Sequence, residues 1–328
     1  MKIMERLDVV IIGGGPSGIN CAIAAHLAGL KYCILEKGML VHALYHFPAD
    51  MTFFSTSKLL EIGQVPFISH GEKPTRREAL EYYRRLVQHY HLKVKLYEEV
   101  LSMKPVNQSG YEIQTAKAKY STANVIIATG FYDTPRRLQI PGEHLPKVSH
   151  YYNDPHPFFQ KEVLVIGARN SACDAALECY YKGAKVTMAI RGSEIHPNVK
   201  YWIRPNIINR IKADSIKGYF NTHVVSIQEE KVVLENEEKG TFEIDNDFVL
   251  AMTGYEPNYA LLDKLGIACS EDAIRIPDYK KETLESNLPG VFLAGVVCAG
   301  TQTSKLFIEN TRDHAQIIID TIVSRERN

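Results

Sequence analysis

Two glycine-rich turns, each set between an apolar strand pattern and an apolar helix pattern, constrain this chain more than any other feature. The first reads Asp8-Val-Val-Ile-Ile-Gly13-Gly14-Gly15-Pro16-Ser17-Gly18 and continues into Ile19-Asn-Cys-Ala-Ile-Ala-Ala. The second reads Glu162-Val-Leu-Val-Ile-Gly167-Ala168-Arg169-Asn170-Ser171-Ala172 and continues into Cys173-Asp-Ala-Ala-Leu-Glu. A buried strand that turns at once into a helix belongs to a parallel α/β sheet. Two such units predict an α/β chain with two Rossmann-like, three-layer dinucleotide-binding domains.

The first turn has the residues a pyrophosphate requires. Gly13 permits the tight exit from the strand, Gly15 lacks the Cβ that would block the phosphates, and Gly18 lets the helix lie close to the sheet. Pro16 and Ser17 complete the loop, and the helix end behind it offers free N–H groups and a positive dipole. The following strand, Tyr32-Cys-Ile-Leu, ends in Glu36 and then Lys37. An acid about twenty positions beyond the last glycine accepts ribose hydroxyls.

In the second unit the strand Lys185-Val-Thr-Met-Ala-Ile ends in Arg191 instead. A carboxylate there would repel a 2′-phosphate, whereas a guanidinium binds one bidentately. The first site therefore reads as an adenosine with a free 2′-hydroxyl and the second as NADP(H). The NADP set is Gly167, Arg169, Asn170, Ser171, Ala172 and Arg191, with Lys200 as a further cation. Arg169 stands where the second glycine is usual. Its side chain either hinders close approach of the pyrophosphate or itself reaches a phosphate.

The 328 residues are enough for two domains, and 38 basic side chains balance 38 acidic ones, so no bulk field favours nucleic acid or an anionic membrane. No apolar run approaches about eighteen residues, and the first strand leaves no room for a secretory signal. A cytoplasmic protein with no membrane partner is expected. The six cysteines, Cys21, Cys33, Cys173, Cys179, Cys269 and Cys298, form no CxxC and no zinc-ligand spacing, so no metal is expected. Cys21 and Cys173, early in the two loop helices, read as core.

Residues 39–70 are irregular and rich in rings, among them His42, Tyr45, His46, Phe47, Phe53 and Phe54. Such a stretch either lines a flat flavin or packs as core. Thr75 to Tyr90 reads as a helix opened by a Thr75/Glu78 capping box. Short strands are expected near 93–104, 110–115 and 118–122. Val125-Ile-Ile-Ala-Thr129-Gly130 and Asp247-Phe-Val-Leu-Ala-Met-Thr253-Gly254 then echo one another, as though the chain leaves one domain and returns to it. A strand at Gly290–Gly295 and a long helix from Ser304, with Phe307, Ile308, Ile317 and Ile318, close the chain. That helix would aim its positive end at the flavin's electron-rich edge.

The double loop, the two Thr-Gly strand ends, Ile140-Pro-Gly-Glu143 and Leu293-Ala-Gly295 resemble the low-molecular-weight thioredoxin reductases. A closer resemblance covers nearly the whole chain. Thr52-Phe-Phe-Ser55, Gly63-x-Val-Pro-Phe67, Arg191-Gly-Ser-Glu194, Val199-Lys-Tyr-Trp-Ile203 and Phe307-Ile-Glu-Asn310 are similar to the YpdA-type bacillithiol-disulfide reductases. The resemblance implies FAD and NADPH as cofactors. It divides the chain into a discontinuous FAD-binding domain, 1–134 and 251–328, and an inserted NADP(H)-binding domain, 135–250. It implies FAD contacts at Gly13, Gly15, Ser17, Gly18, Glu36, Val100, Thr129, Gly130 and Gly295, beside Pro16, Lys37, His42, Tyr45 and Val296. It also turns Arg169 towards a phosphate, and relatives of this fold are commonly homodimers.

Three departures bear on the reaction. The stretch Tyr151–Phe159 lacks the CxxC of thioredoxin reductases, Ser17 replaces the cysteine of the YpdA-type loop, and Val296 replaces an acid that contacts the ribityl chain. The expected activity is electron flow from NADPH through FAD to an external acceptor. That acceptor is a low-molecular-weight disulfide such as bacillithiol disulfide or a small redox protein, as in ferredoxin- or flavodoxin-NADP reductases. A non-catalytic FAD/NADP(H)-binding sensor is the other alternative. Cys298, just past Gly295, is the single catalytic thiol candidate, and a nearby helix N-terminus would lower its pKa.

Overall fold

The computed structural model describes residues 6–106 and 110–326. It divides into two compact units: Met1–Tyr45, Met51–Thr134 and Tyr255–Asn328 form unit 1, and His46–Asp50 with Pro135–Gly254 form unit 2. The expected outer limits at 1 and 328 lie outside the described residues. Unit 2 takes up His46–Asp50 and runs past 250. Ala49 N–H donates to the Asn153 carbonyl at 2.8 Å, and Arg136 N–H donates to the Gly254 carbonyl at 3.0 Å.

In unit 1, β1 (Leu7–Ile12) turns into α1 (Pro16–Leu27) and the chain returns as β2 (Tyr32–Leu35). The short α2 (His42–Tyr45) and α3 (Ser57–Leu60) break the stretch read as irregular. Then follow α4 (Arg76–His89), β3 (Val94–Lys95), β4 (Val100–Pro105), β5 (Tyr111–Thr115) and β6 (Lys119–Ile127). The Thr75/Glu78 capping box opens α4, with Thr75 N–H donating to Glu78 Oε2 at 2.7 Å.

Unit 2 contributes β7 (Val148–Ser149), β8 (Glu162–Ile166), α5 (Asn170–Tyr181), β9 (Lys185–Ala189) and α6 (Arg204–Lys212). It continues with β10 (Lys217–Tyr219), β11 (Thr222–Ile227), β12 (Lys231–Asn236), β13 (Gly240–Asp245) and β14 (Phe248–Ala251). Back in unit 1 come α7 (Tyr259–Lys264), β15 (Val291–Leu293) and α8 (His314–Glu326).

The strands of unit 1 run in the order β3-β2-β1-β6-β5-β4, with β15 also on β6. β1 is parallel to β2 and β6, so the connection order reverses between β1 and β6. Val9, Val10 and Ile11 are fully buried, as an unbroken apolar run in a parallel strand with both faces covered should be. The segments read as separate strands at 118–122 and 125–129 are one strand. Its first half pairs antiparallel with β5 and its second half parallel with β15, which gives the two halves different sequence patterns. Unit 2 carries the parallel order β10-β9-β8-β14-β7 and a separate antiparallel β11-β12-β13 sheet.

One expected element is corrected. The helix read from Ser304 begins at His314. Polar side chains hold residues 305–312 as turns: Asn310 Oδ1 accepts the Phe307 N–H at 2.7 Å, and Thr311 Oγ1 donates to the Phe307 carbonyl at 2.7 Å. Such local bonds compete with the helical ladder. No helix among the described residues is long and apolar enough to cross a membrane.

Candidate functional site

Unit 1 carries its site at the carboxyl ends of β1 and β6, where the strand order reverses and open α/β sheets place ligands. Gly13 has φ +110°, and a Cβ there would stand 2.5 Å from the Ala128 carbonyl oxygen at the end of β6. A Cβ on Gly18 would fall on the Gly13 carbonyl oxygen, so the loop closes tightly onto α1. Gly15, by contrast, has open space above it. It is also the N-cap of α1, with Pro16 following, no side-chain cap bond and no acid in the first turn. The first N–H groups of the helix therefore have no side-chain acceptor, and such an end can receive an anion.

Glu36 is buried at the end of β2 and its two oxygens are fixed. Oε2 accepts the Gly14 N–H at 2.6 Å and Oε1 accepts the Gly38 N–H at 2.8 Å. The carboxyl therefore braces the loop, and each oxygen retains a lone pair with which it can accept a further donor. A cleft of about 190 Å³ opens here, lined by Gly13, Glu36, Val100, Thr129 and Gly130. Lys37 and Asp133 also line it and pair at 2.9 Å. Val41 N–H donates to the Gly14 carbonyl at 3.1 Å, which ties α2 to the loop. His42 packs on Gly38, while Tyr45 is exposed and its carbonyl accepts from Arg76. A larger hollow of about 460 Å³ beside Glu285 and Arg325 has no phosphate loop. There Glu285 is already occupied by the Arg325 guanidinium, at 2.5 and 2.8 Å, and by Gly290 N–H at 2.8 Å.

The far end of the site joins parts distant in sequence. Gly295, φ +80°, faces Ser17: a Cβ on it would overlap Ser17 Oγ and lie 2.7 Å from Ser17 Cβ. Val296 Cγ2 lies 3.9 Å from the Cβ position of Gly130. His314, at the start of α8, accepts the Gly295 N–H through Nδ1 at 3.1 Å, and burial lowers its pKa. Sequence reading missed His314, because nothing local distinguishes a histidine that caps a remote glycine.

The second site lies in unit 2, beyond β8 and β9. Gly167, φ +132°, fits against the Met252 carbonyl, 2.7 Å from where a Cβ would stand, and its N–H donates to the Ala189 carbonyl at 3.1 Å. Arg169 is the N-cap of α5, again with no side-chain cap bond. Arg169 and Arg191 are exposed and make no ion pair among the described residues. Ser171 is exposed in the first turn of α5, and Ala172 is buried. Asn170 and Lys200 are engaged elsewhere. Asn170 Oδ1 accepts the Lys200 N–H at 2.9 Å, and Lys200 Nζ pairs with Asp174 Oδ2 at 3.0 Å.

The thiols are free, and all are buried except Cys269, which is half-buried. Cys298 corrects the expectation of activation. Burial pushes its pKa up to about 12, with Cys21 adding to the shift, the opposite of the lowering a helix N-terminus would give. Cys21 and Cys173 are likewise raised to about 12 by burial. No group of three or more His, Cys, Asp or Glu side chains suited to a metal occurs among the described residues.

The sequence matches the pyridine nucleotide-disulphide oxidoreductase family over residues 10–295. It is 43% identical over 325 residues to bacilliredoxin reductase Bdr of Bacillus subtilis (strain 168), covering 99% of this chain and 100% of that protein. The fold is similar to that of bacillithiol disulfide reductase Bdr (YpdA) from Staphylococcus aureus, with TM-score 0.95 and 41% identity over 98% of this chain and 100% of that one. The Bacillus cereus bacillithiol disulfide reductase Bdr (YpdA) gives TM-score 0.94 and 39% identity, covering 98% and 100%.

Proposed function

This chain belongs to the pyridine nucleotide-disulphide oxidoreductase family, and from that premise we propose that it is an NADPH-dependent flavoprotein reductase of low-molecular-weight disulfides. In this reading unit 1 is a Rossmann-like domain that holds FAD, and unit 2 is a second one, inserted into the first, that holds NADPH. The balanced reaction is NADPH + H⁺ + RSSR → NADP⁺ + 2 RSH. When bound, FAD supplies two-electron chemistry, taking hydride from a nicotinamide and reducing an acceptor.

The observation that carries the reading is the contrast between two otherwise similar loops. Each ends a parallel strand at a helix N-terminus without a side-chain cap. One is paired with the fixed carboxyl of Glu36, the other with the free guanidinium of Arg191. Gly15 leaves room for a pyrophosphate, Glu36 meets ribose hydroxyls, and the cleft between Val100 and Thr129 takes the adenosine of FAD. Arg191 meets the 2′-phosphate, and Arg169 supplies a second cation at the helix end.

The acceptor is external. Ser17 cannot form a mixed disulfide, and buried Cys298 is held protonated. What these residues do instead is shape the space: Gly295 leaves room for the Ser17 side chain, and His314 fixes the Gly295 N–H. Bacillithiol disulfide is the substrate class, after the names of the similar reductases.

The test is direct. The purified yellow protein, mixed anaerobically with NADPH, should lose its flavin absorbance, and bacillithiol disulfide should restore it. Arg191→Ala should weaken NADPH far more than NADH, by about 30- to 100-fold for a charge-assisted pair. A colourless protein that takes up no FAD would end this reading. Reoxidation by ferredoxin or flavodoxin but not by the disulfide would replace the acceptor alone.

A further inference from the structure

One segment of unit 2 is fastened to its phosphate loop at three points. His196 N–H donates to the Ala168 carbonyl at 3.1 Å, inside the loop. Lys200 N–H donates to Asn170 Oδ1 at 2.9 Å, at the first residue of α5. Lys200 Nζ then donates to Asp174 Oδ2 at 3.0 Å, one helical turn further on. The side chains of this last pair are only 13% and 17% exposed, and the ammonium also lies 5.8 Å from the centre of the Trp202 ring. Ile195 and Val199 anchor the segment from below in the core around α5.

We propose that His196–Lys200 is a strap that holds the unit 2 phosphate loop in its nucleotide-receiving form, with Lys200 and Asp174 as positioning residues rather than phosphate ligands. The inference rests on the reading that unit 2 binds NADPH. Its physical basis is the division of labour among the cations. Lys200 is largely buried and paired with Asp174, so moving its ammonium to a phosphate would strand a carboxylate in a partly buried place. Arg169 and Arg191 stay exposed, free to meet the ligand. A loop already ordered by the strap binds without meeting the ordering cost at that moment.

The two roles for Lys200 predict opposite signs at Asp174. In the full-length flavin-loaded protein, the dissociation constants of NADP⁺ and NAD⁺ are measured by calorimetry for Asp174→Ala, Asp174→Asn, Lys200→Met, Lys200→Arg and the double variant Asp174→Ala/Lys200→Met. A strap predicts that Asp174→Ala and Lys200→Met each weaken NADP⁺ by about tenfold and NAD⁺ by the same factor. The double variant should then be no weaker than either single one, and Lys200→Arg should recover most of the loss. If Lys200 were a phosphate ligand, Asp174→Ala would free it and tighten NADP⁺, and Lys200→Met would weaken NADP⁺ selectively. Either result, or no change in both variants, overturns the proposal. Should Asp174→Ala fail to fold by circular dichroism, Asp174→Asn decides: tighter or unchanged NADP⁺ binding overturns the strap, and weaker binding supports it. Wild-type protein that binds no NADP⁺ would instead overturn the parent reading of unit 2.

Discussion

The contact between Gly295 and Ser17 allows a quantitative test of the site's geometry through Gly295→Ala. Two costs add. An L-residue at φ +80° meets the left-handed penalty of about 1–2 kcal/mol. The new methyl also overlaps Ser17 Oγ and approaches Ser17 Cβ to 2.7 Å, and such overpacking costs about 1–3 kcal/mol. The variant should therefore lose roughly 2–5 kcal/mol, a large part of a normal folding free energy. The second cost can be removed alone, because Ser17→Gly takes away both overlapped atoms. The first cannot.

Urea unfolding of the full chain, followed by far-UV circular dichroism, measures wild type, the two single variants and the double variant. The cycle should show a favourable coupling of about 1–3 kcal/mol, with about 1–2 kcal/mol of backbone penalty left in the double variant. Gly295 N–H also donates to His314, so the displaced backbone should speed release of bound FAD as well. Wild-type stability in Gly295→Ala, or losses that simply add in the double variant, would refute the contact and with it the account of position 17.

Three further outcomes follow from the same geometry. Glu36→Gln leaves one acceptor oxygen for two N–H groups and turns a donor towards one of them, so purified protein should retain less FAD, by about 1.5–3 kcal/mol in binding. Burial lowers the pKa of both His314 and His150, the latter lying 3.1 Å from Glu143 with Arg137 adding to the shift. The unfolded chain then binds more protons, so melting temperature should hold above pH 6.5, fall as pH drops below it, and level off once the folded-state values are passed. His314→Asn, which keeps an acceptor without the titration, should flatten part of that slope; equal slopes would exclude His314. Iodoacetamide at pH 8 should leave Cys298 unlabelled in the native protein and label it in urea, as burial raises its thiol to about 12.

How much of this was legible depended on the distance over which each residue acts. The α4 capping box closes within three residues, Thr75 to Glu78, and both ends are in the string. The phosphate loops carry their strand, turn and helix in one contiguous run, so apolar periodicity and glycine spacing suffice. The start of α8 was misjudged because Phe307, Ile308, Ile317 and Ile318 have helical spacing. Asn310 and Thr311 spend their side chains on the backbone and hold a turn there. The antiparallel β11-β12-β13 sheet is hard to read because its six-residue strands mix exposed and buried positions, a weaker signal than the unbroken apolar runs of the parallel strands.

Within the candidate sites, spacing offers residue types, whereas the partners of those residues are set by the fold. The spacing offers Glu36 as an acceptor for ribose; what the structure shows is that its oxygens brace Gly14 and Gly38, which no spacing rule announces. Lys200 is offered by the sequence as a further cation for NADP(H), and in the structure its ammonium pairs with Asp174. Both cases follow from one constraint: a charged group drawn out of water must find a partner, and that partner is chosen by the fold rather than by the sequence neighbourhood. The exposed Arg169 and Arg191 escape the constraint, because solvent satisfies them. On the proposal made above, the cations left to water are those offered to a phosphate, and the buried Lys200 orders the loop beside them.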